Sequence, residues 1–293
     1  MPRVTYALCR LIRQYVTVVL SGDGGDEGFG GYNFYWWIDA ILRWQALPNT
    51  VQRATVVALD LLTRAGMAPG RLATRARDLS QGDDTSIVQY LFSQVRENEH
   101  QRFCRDTGLL PVRRLFEPQW EYYLPRRASR LERLSAHATE VNIRMKLAND
   151  YLVKVDIASM KESLEVRVPM LDEDLFAFGL SLPHTLKVKG RTCKRVLREV
   201  GRRELPPEVA NKPKHGFEIP LDTWTDEDFK MRLREALLGP SSRLPEFFHP
   251  EAYKSMVIAF CTGRSYPALS RVSLGLRVIM LLSVQLALSS SRR

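Results

Sequence analysis

Apolar residues recur along this chain with two periods, and the change from one to the other near its start is the first informative boundary. Over residues 3–14, Val4, Leu8, Leu11 and Ile12 fall on one helical face while Arg3, Arg10 and Arg13 fall on another. Residues 16–20, VTVVL, then run without polar alternation and are rich in β-branched side chains, which predicts a parallel-type strand. A helix leading straight into such a strand is the second half of a βαβ unit, so the chain is expected to open inside a fold. The strand feeds a turn at 21–31 in which Gly22, Gly24, Gly25, Gly30 and Gly31 are interleaved with Ser21, Asp23, Asp26 and Glu27. Strand into Gly-rich loop is how α/β proteins place a ligand site at the C-terminal end of a parallel strand.

Beyond the loop the helical period dominates. Tyr32 to Trp44 is aromatic and apolar and predicts a buried helix; Pro48 and Asn49 end it, and 51–66 predicts a second helix closing at Gly66 and Pro69. Residues 67–84 read as a polar linker. Ile87–Phe103 and Leu131–Met145 read as amphipathic helices on either side of a Pro-rich connection at 111–125. In 150–183 the charges at Lys154, Asp156, Glu165, Arg167 and Asp172 have, on pattern alone, the look of a surface helix with ion pairs. Pro169 ends that run, and Asp172 suits the N-cap of a new helix. Arg191–Arg203 predicts a basic helix holding Cys193. Pro206, Pro207, Pro213 and Pro220 then predict a stiff extended loop with Lys212, Lys214 and His215, able to cover a site. Thr225 with Asp228 resembles a capping box, and 228–288 reads as helical throughout. The class expected is α/β, predominantly helical, with few parallel strands.

Composition narrows this picture modestly. The chain has 293 residues, 45% of them hydrophobic, enough to bury a sizeable core. An excess of 43 Lys+Arg over 33 Asp+Glu, net +10, permits anionic ligands. The basic residues at 113, 114, 126, 127, 130 and 133 lack interleaved aromatics and read as a solvated helix face, so no specific nucleic-acid partner is expected. Cys9, Cys104, Cys193 and Cys261 have no metal-ligand spacing and read as reduced thiols of a cytoplasmic protein. The histidines carry no nucleophile or ligand spacing. No secretory apolar region opens the chain, and Val278–Leu288 is about half the roughly 20 residues a membrane span needs, so it reads as a core helix and no membrane is expected.

The loop is where charge changes the reading. Three carboxylates among glycines would repel a bare phosphate, so the loop suits Mg2+, with phosphate following the metal. The spacing of Asp23, Asp26 and Glu27 does not match an EF-hand. Residues 21–31 thus read as half of a metal–nucleotide site.

Three long motifs in order, VVLSGDGGDEGFGGY, YLVKVDIASMKESLEVRVPMLD and LPPEVANKPKHGFEIPLDTW, resemble the synthetase domain of the glutamine-hydrolysing asparagine synthetases. The resemblance covers 3–225, with the helical tail also in keeping. It implies one synthetase domain over 1–293, in parts 1–66, 67–149, 150–225 and 226–293, built as a truncated adenine-nucleotide alpha-hydrolase-like (ATP-pyrophosphatase) fold. It implies activation of the aspartate side chain by ATP as β-aspartyl-AMP, release of pyrophosphate, and attack by ammonia from glutamine to give asparagine. Asp26 then matches the Mg2+ position and Asp23 the acidic catalytic position beside the adenylate. Lys214 matches the lysine that neutralises the leaving pyrophosphate. Ser21, Gly22 and Gly24 match the substrate and ATP loop. Glu165, Arg167 and Asp172 match LEVRVPxLD, with the arginine as a carboxylate clamp.

Departures accompany the match. The family usually carries an upstream SGGxDS pyrophosphate loop, and this sequence holds neither that nor GxxxxGK[ST]. Its glutaminase domain would place a cysteine directly after Met1, where Pro2 stands. Gly28 and Phe34 occupy positions where the family more often has a large apolar residue and an arginine. The expectation is a carboxy-terminal portion that works within a longer chain or with a separate chain bearing the glutaminase and SGGxDS. The alternatives are a non-catalytic, partner-binding remnant and a lactam-forming or peptide-cyclising relative; Asp23 favours the asparagine side, since those relatives tend to have tyrosine there.

Overall fold

A computed structural model describes residues 2–67, 70–80, 82–93, 102–105, 112–120, 128–210, 225–266, 269 and 271–290. The chain forms two units, each assembled from two stretches: Met1–Ala46 with Pro118–Phe217, and Leu47–Glu117 with Glu218–Arg293. The consecutive parts read from the sequence run along the chain, whereas packing rejoins pieces across it.

In the first unit the helix Pro2–Ile12 leads into β1, Val18–Leu20. β1 pairs in parallel with β2, Glu165–Arg167, in the register Val18–Glu165, Val19–Val166 and Leu20–Arg167. These two strands form the one sheet among the described residues, and helices make up most of the rest, as expected for the class. β2 corrects the reading of 150–183 as a surface helix. The helix Leu152–Met160 stops there, Ser163 turns with φ 53, and Glu165 N–H donates to Thr17 O at 2.9 Å to begin the ladder. Glu165 and Arg167 are neighbours because alternate residues share a strand face. Val19 and Val166 pack on the other side against Cys9, Ala158 and Leu164, with Tyr6 and Ile12 closing the cluster between the helices Pro2–Ile12 and Leu152–Met160.

The same unit has a second packed region. The helix Phe34–Gln45 buries Tyr35, Ile38 and Ile41 and lies against the helix Arg130–Asn142, which buries Leu134, Ala138 and Val141. The Tyr35 and Thr139 hydroxyls hydrogen-bond at 2.7 Å. Ser129 and Glu132 form a reciprocal capping box at the start of the second helix. It does not end near Met145 as expected; it continues as a π-helix, Ile143–Tyr151, into Leu152–Met160.

In the second unit the stretch read as a polar linker contains the helix Gly70–Ser80, packed on Asn49–Arg64 and joined to it by an Arg77–Asp60 ion pair at 2.5 Å. Ala73 is its one buried residue among those described, so the segment carries little of the apolar stripe that marks a helix. Of the helix expected over 87–103, Asp84–Phe92 is seen and 94–101 lie outside the described residues; it is capped by Asp83, whose side chain accepts from Ser86 N–H at 2.9 Å. Arg113 grips the same carboxylate and holds it well below the usual carboxylate range, so this arginine is committed to a partner.

Among the described residues, the continuous helix read over 228–288 is three α-helices, Glu227–Leu238, Pro250–Cys261 and Arg271–Ser290, with a 3-10 turn at Leu244–Glu246. Gly239, Pro240, Pro245 and Pro250 break it. The first is capped by Asp226, which accepts from Phe229 N–H at 2.7 Å, and not by the Thr225–Asp228 pair. Leu233, Leu237, Tyr253, Met256, Val257, Phe260, Leu274, Val278 and Leu281 form their shared core. Arg271–Ser290 is long and apolar enough to cross a membrane. It also buries Arg277 and Gln285, and Gln285 accepts from Arg243 N–H at 2.9 Å, as a core helix of this unit does.

Leu164 is 1% exposed and sits directly under the sheet. Leu164→Ala is expected to lower unfolding free energy by about 2–5 kcal/mol in urea titration, with the low end marking a site that collapses around the cavity.

Candidate active site

The Gly-rich turn is built on the end of the sheet. Ser21 N–H donates to Arg167 O at 2.8 Å, carrying the ladder one step past β1. Ser21 Oγ donates to Asp23 Oδ2 at 2.5 Å. Gly24 takes φ 85 and opens the short helix Gly25–Phe29. A Cβ there would be strained at that φ and would lie 2.2 Å from Leu171 Cδ2, so Gly24 is where this turn meets the turn Pro169–Leu171 after β2. Asp172 closes that second turn by capping Glu173–Ser181, accepting from Leu175 N–H at 3.1 Å, the cap read from the sequence. Gly28 and Gly179 let the two helices approach: a Cβ on Gly28 would meet Phe176 Cδ2 at 3.2 Å, and one on Gly179 would meet Phe29 at 3.1 Å. The small residue at 28 is thus matched by the Phe176 ring that fills the space beside it.

The three acids of the turn have three environments. Asp23 is half-buried and held by Ser21. Asp26 pairs with Lys194, Nζ to Oδ1 at 2.8 Å. Glu27, 2% exposed, accepts from Tyr32 OH at 2.5 Å and Asn142 Nδ2 at 3.2 Å. Burial pushes the Glu27 carboxyl up, against the pull of those hydrogen bonds. Burial and the adjacent Glu27 push the Tyr32 phenol far above its ordinary value, so the proton stays on Tyr32. Burial and the nearby Asp150 and Glu27 push the Tyr151 phenol up as well. Asn142 precedes the π-helix and Tyr151 ends it. At about 3.6 residues per turn they would face opposite ways, and the wider i→i+5 winding brings both to the Glu27–Tyr32 pair.

Lys194 and the Glu27 network are the residues sequence reasoning missed. The basic helix begins at Arg195, later than expected, and Lys194 precedes it in left-handed conformation with φ 55. Its N–H donates to Gly30 O at 3.2 Å. Cys193 lies before the helix too, buried, with its thiol donating to Tyr32 O at 3.5 Å. The one signal available was physical: an acid-rich loop requires cations from elsewhere in the chain.

The remaining site residues fall as follows. Gly22 O accepts from Gly25 N–H at 3.3 Å, and a Cβ on Gly22 would meet no atom within 4 Å, so this backbone is open to close approach. Glu165 and Arg167 point to one face of β2 and pair at 2.6 Å, both exposed, an arrangement worth little for stability. Lys214, with all of 211–224, lies outside the described residues. Among the described residues no three His, Cys, Asp or Glu side chains converge as a metal cage. Mg2+ is commonly held by one or two carboxylates plus substrate phosphates, and Asp26 fits that mode, with a cation already against it.

A sequence model of the Asparagine synthase family matches residues 1–285. The chain belongs to the asparagine synthase family. It is 24% identical over 260 residues to asparagine synthetase [glutamine-hydrolyzing] 1 of Bacillus subtilis (strain 168), covering 89% of this chain and 39% of that relative. It is 29% identical over 240 residues to a putative asparagine synthetase [glutamine-hydrolyzing] of Mycobacterium tuberculosis (strain ATCC 25618 / H37Rv), covering 80% of this chain and 35% of that relative. The chain therefore spans well under half the length of these relatives. A Methanocaldococcus jannaschii putative asparagine synthetase [glutamine-hydrolyzing] 2 matches 28 residues at 68% identity, which is 10% of this chain and 5% of that relative. No solved structure matches the chain.

Gly24→Ala is expected to destabilise the chain by about 2 kcal/mol in urea titration, since the left-handed strain persists even if Leu171 moves aside. Lys187 lies against Gly30, donates to Leu180 O at 3.1 Å, and is pushed by burial from 10.5 to about 8. Below pH 8 it is protonated whether folded or unfolded and the burial cost is fully present. Between about 8 and 10.5 the unfolded chain binds more protons, so stability rises with pH. Relative to Lys187→Met, the native chain should gain up to about 3 kcal/mol between pH 7.5 and 10.5 in paired urea titrations.

Proposed function

We propose that this chain carries the Gly-rich-loop half of an ATP-dependent amide-forming site of asparagine synthetase type, in a truncated adenine-nucleotide alpha-hydrolase-like fold. In that reaction an aspartate side-chain carboxylate attacks the α-phosphorus of ATP and pyrophosphate leaves. Ammonia, drawn from glutamine, then attacks the acyl carbon, AMP leaves, and asparagine forms. The observation that supports this reading most is the parallel pairing of β1 with β2. It sets the turn at Ser21–Glu27 and the turn at Pro169–Asp172 side by side beyond the C-terminal ends of adjacent strands, where open α/β sheets bind ligands.

The residues divide the work by chemistry. Gly22 keeps the backbone bare where the nucleotide approaches, and Gly24 makes the tight turn of that loop against Leu171. Asp23, oriented by Ser21, stands beside the reacting acyl group. Arg167 engages Glu165 through Nε and would take a substrate carboxylate on its Nη edge. Asp26 would hold Mg2+, which when bound neutralises charge on the phosphate oxygens. Lys214 would add a cation for the leaving pyrophosphate. The second phosphate loop and the glutaminase come from another segment or chain, in the cytoplasm.

Aspartate-dependent ATP–pyrophosphate exchange tests the reading. The 293-residue chain alone should show none, and exchange should appear on adding a chain that bears the glutaminase and an SGGxDS loop, then vanish with Asp26→Ala. Failure to appear with that partner would favour a non-catalytic, partner-binding chain. Exchange by the chain alone would overturn the division of the site.

A further inference from the structure

The Asp26–Lys194 pair is more constrained than a chance ion pair. Lys194 is one of two non-glycine residues with positive φ among the described residues, a conformation costly for an L side chain. It is held there from both sides, donating to Gly30 O at 3.2 Å and accepting at its carbonyl from Arg198 N–H at 2.8 Å. The side chain then runs over Gly31 to reach Asp26. A Cβ on Gly31 would fall 1.7 Å from Asp26 Oδ1 and 2.4 Å from Lys194 Cε, so the pair lies in a notch that only glycine leaves open. Both side chains keep partial access to solvent, 31% for Lys194 and 25% for Asp26, so a small cation can reach the carboxylate. A strained backbone, a glycine floor and a 2.8 Å contact all serve one outcome: a monovalent cation on the carboxylate that the proposed function assigns to Mg2+.

We propose that Lys194 is a positioning residue that acts as the resident counter-ion of Asp26 and gives up the carboxylate when a divalent cation binds. Beside the buried Glu27, the Lys194 ammonium gives Asp26 an opposite charge that offsets the repulsion between the two neighbouring carboxylates. An ammonium suits the place because it is a compact point charge on a flexible four-carbon stem and can swing away without moving the backbone; a guanidinium would bind the carboxylate through a planar fork. Lys194 and the divalent cation therefore compete for one oxygen. This inference rests on the assignment of Asp26 as the metal ligand.

The test is Mn2+ binding to the full chain without nucleotide, followed by the electron paramagnetic resonance signal of free Mn2+. Lys194→Gly removes the ammonium and relaxes the left-handed backbone, so it is expected to fold at least as well as the native chain. It should bind Mn2+ about 3- to 10-fold more tightly, because the competitor is gone. Lys194→Arg, which keeps a cation there, should stay within about twofold of the native affinity or bind more weakly. Asp26→Asn should abolish the site with either residue at 194. Unchanged or weaker binding by Lys194→Gly, with the Asp26→Asn loss intact, overturns the counter-ion role and leaves the metal assignment standing. Indifference of Mn2+ binding to Asp26→Asn overturns both.

Discussion

Three residue pairs of parallel backbone, Val18–Glu165, Val19–Val166 and Leu20–Arg167, are the constraint on which the site depends. Parallel strands cannot be joined by a tight turn, and here the partner strand arrives only past the midpoint of the chain, at Glu165. The register matters as much as the pairing. Because side chains alternate, Val19 and Val166 face Cys9, Ala158 and Leu164, while Leu20 and Arg167 end together and let Ser21 N–H reach Arg167 O. A slip of one residue would expose the valines and separate the two turns that follow the strands.

Charge is the second constraint, and the structure resolves it acid by acid. Ser21 orients Asp23, Lys194 neutralises Asp26, and Tyr32 with Asn142 hydrogen-bonds the buried Glu27. The helical segment after Asn142 adopts π geometry where it serves this last network, since that winding aligns Asn142 and Tyr151. The glycines of the turn are spent on close approach: Gly24 against Leu171, Gly28 against Phe176 and Gly31 beneath the ion pair.

A two-stranded parallel sheet is unusual on its own, because such sheets are normally covered on both faces. Here the helices Pro2–Ile12 and Leu152–Met160 cover the side of Val19 and Val166, while Leu20, at 67% exposure, stays open on the other. The second unit has its own core around Leu237 and Val257, independent of the sheet. The three acids of the Gly-rich turn and the partners that hold them lie in the unit made of 1–46 and 118–217.

Local signals were legible in the sequence: the helical face of the opening segment, the apolar strand at 16–20, the glycine-and-acid turn, and Asp172 as a cap. Each is decided by neighbours within one or two turns of chain, so periodicity and side-chain chemistry suffice. The errors fell where that locality ends. Glu165 and Arg167 carried the charge pattern of a helix and became a strand, because Val18–Leu20 supplied the hydrogen bonds. Residues 70–80 looked like a linker because they bury only Ala73. Lys194 looked like one basic residue among many until the fold laid it across Gly31 onto Asp26. The sequence by itself determined the family motifs and the turn whose acids demand cations. Only the tertiary structure decided which cation answers which acid, because that pairing depends on distances between segments far apart in the chain.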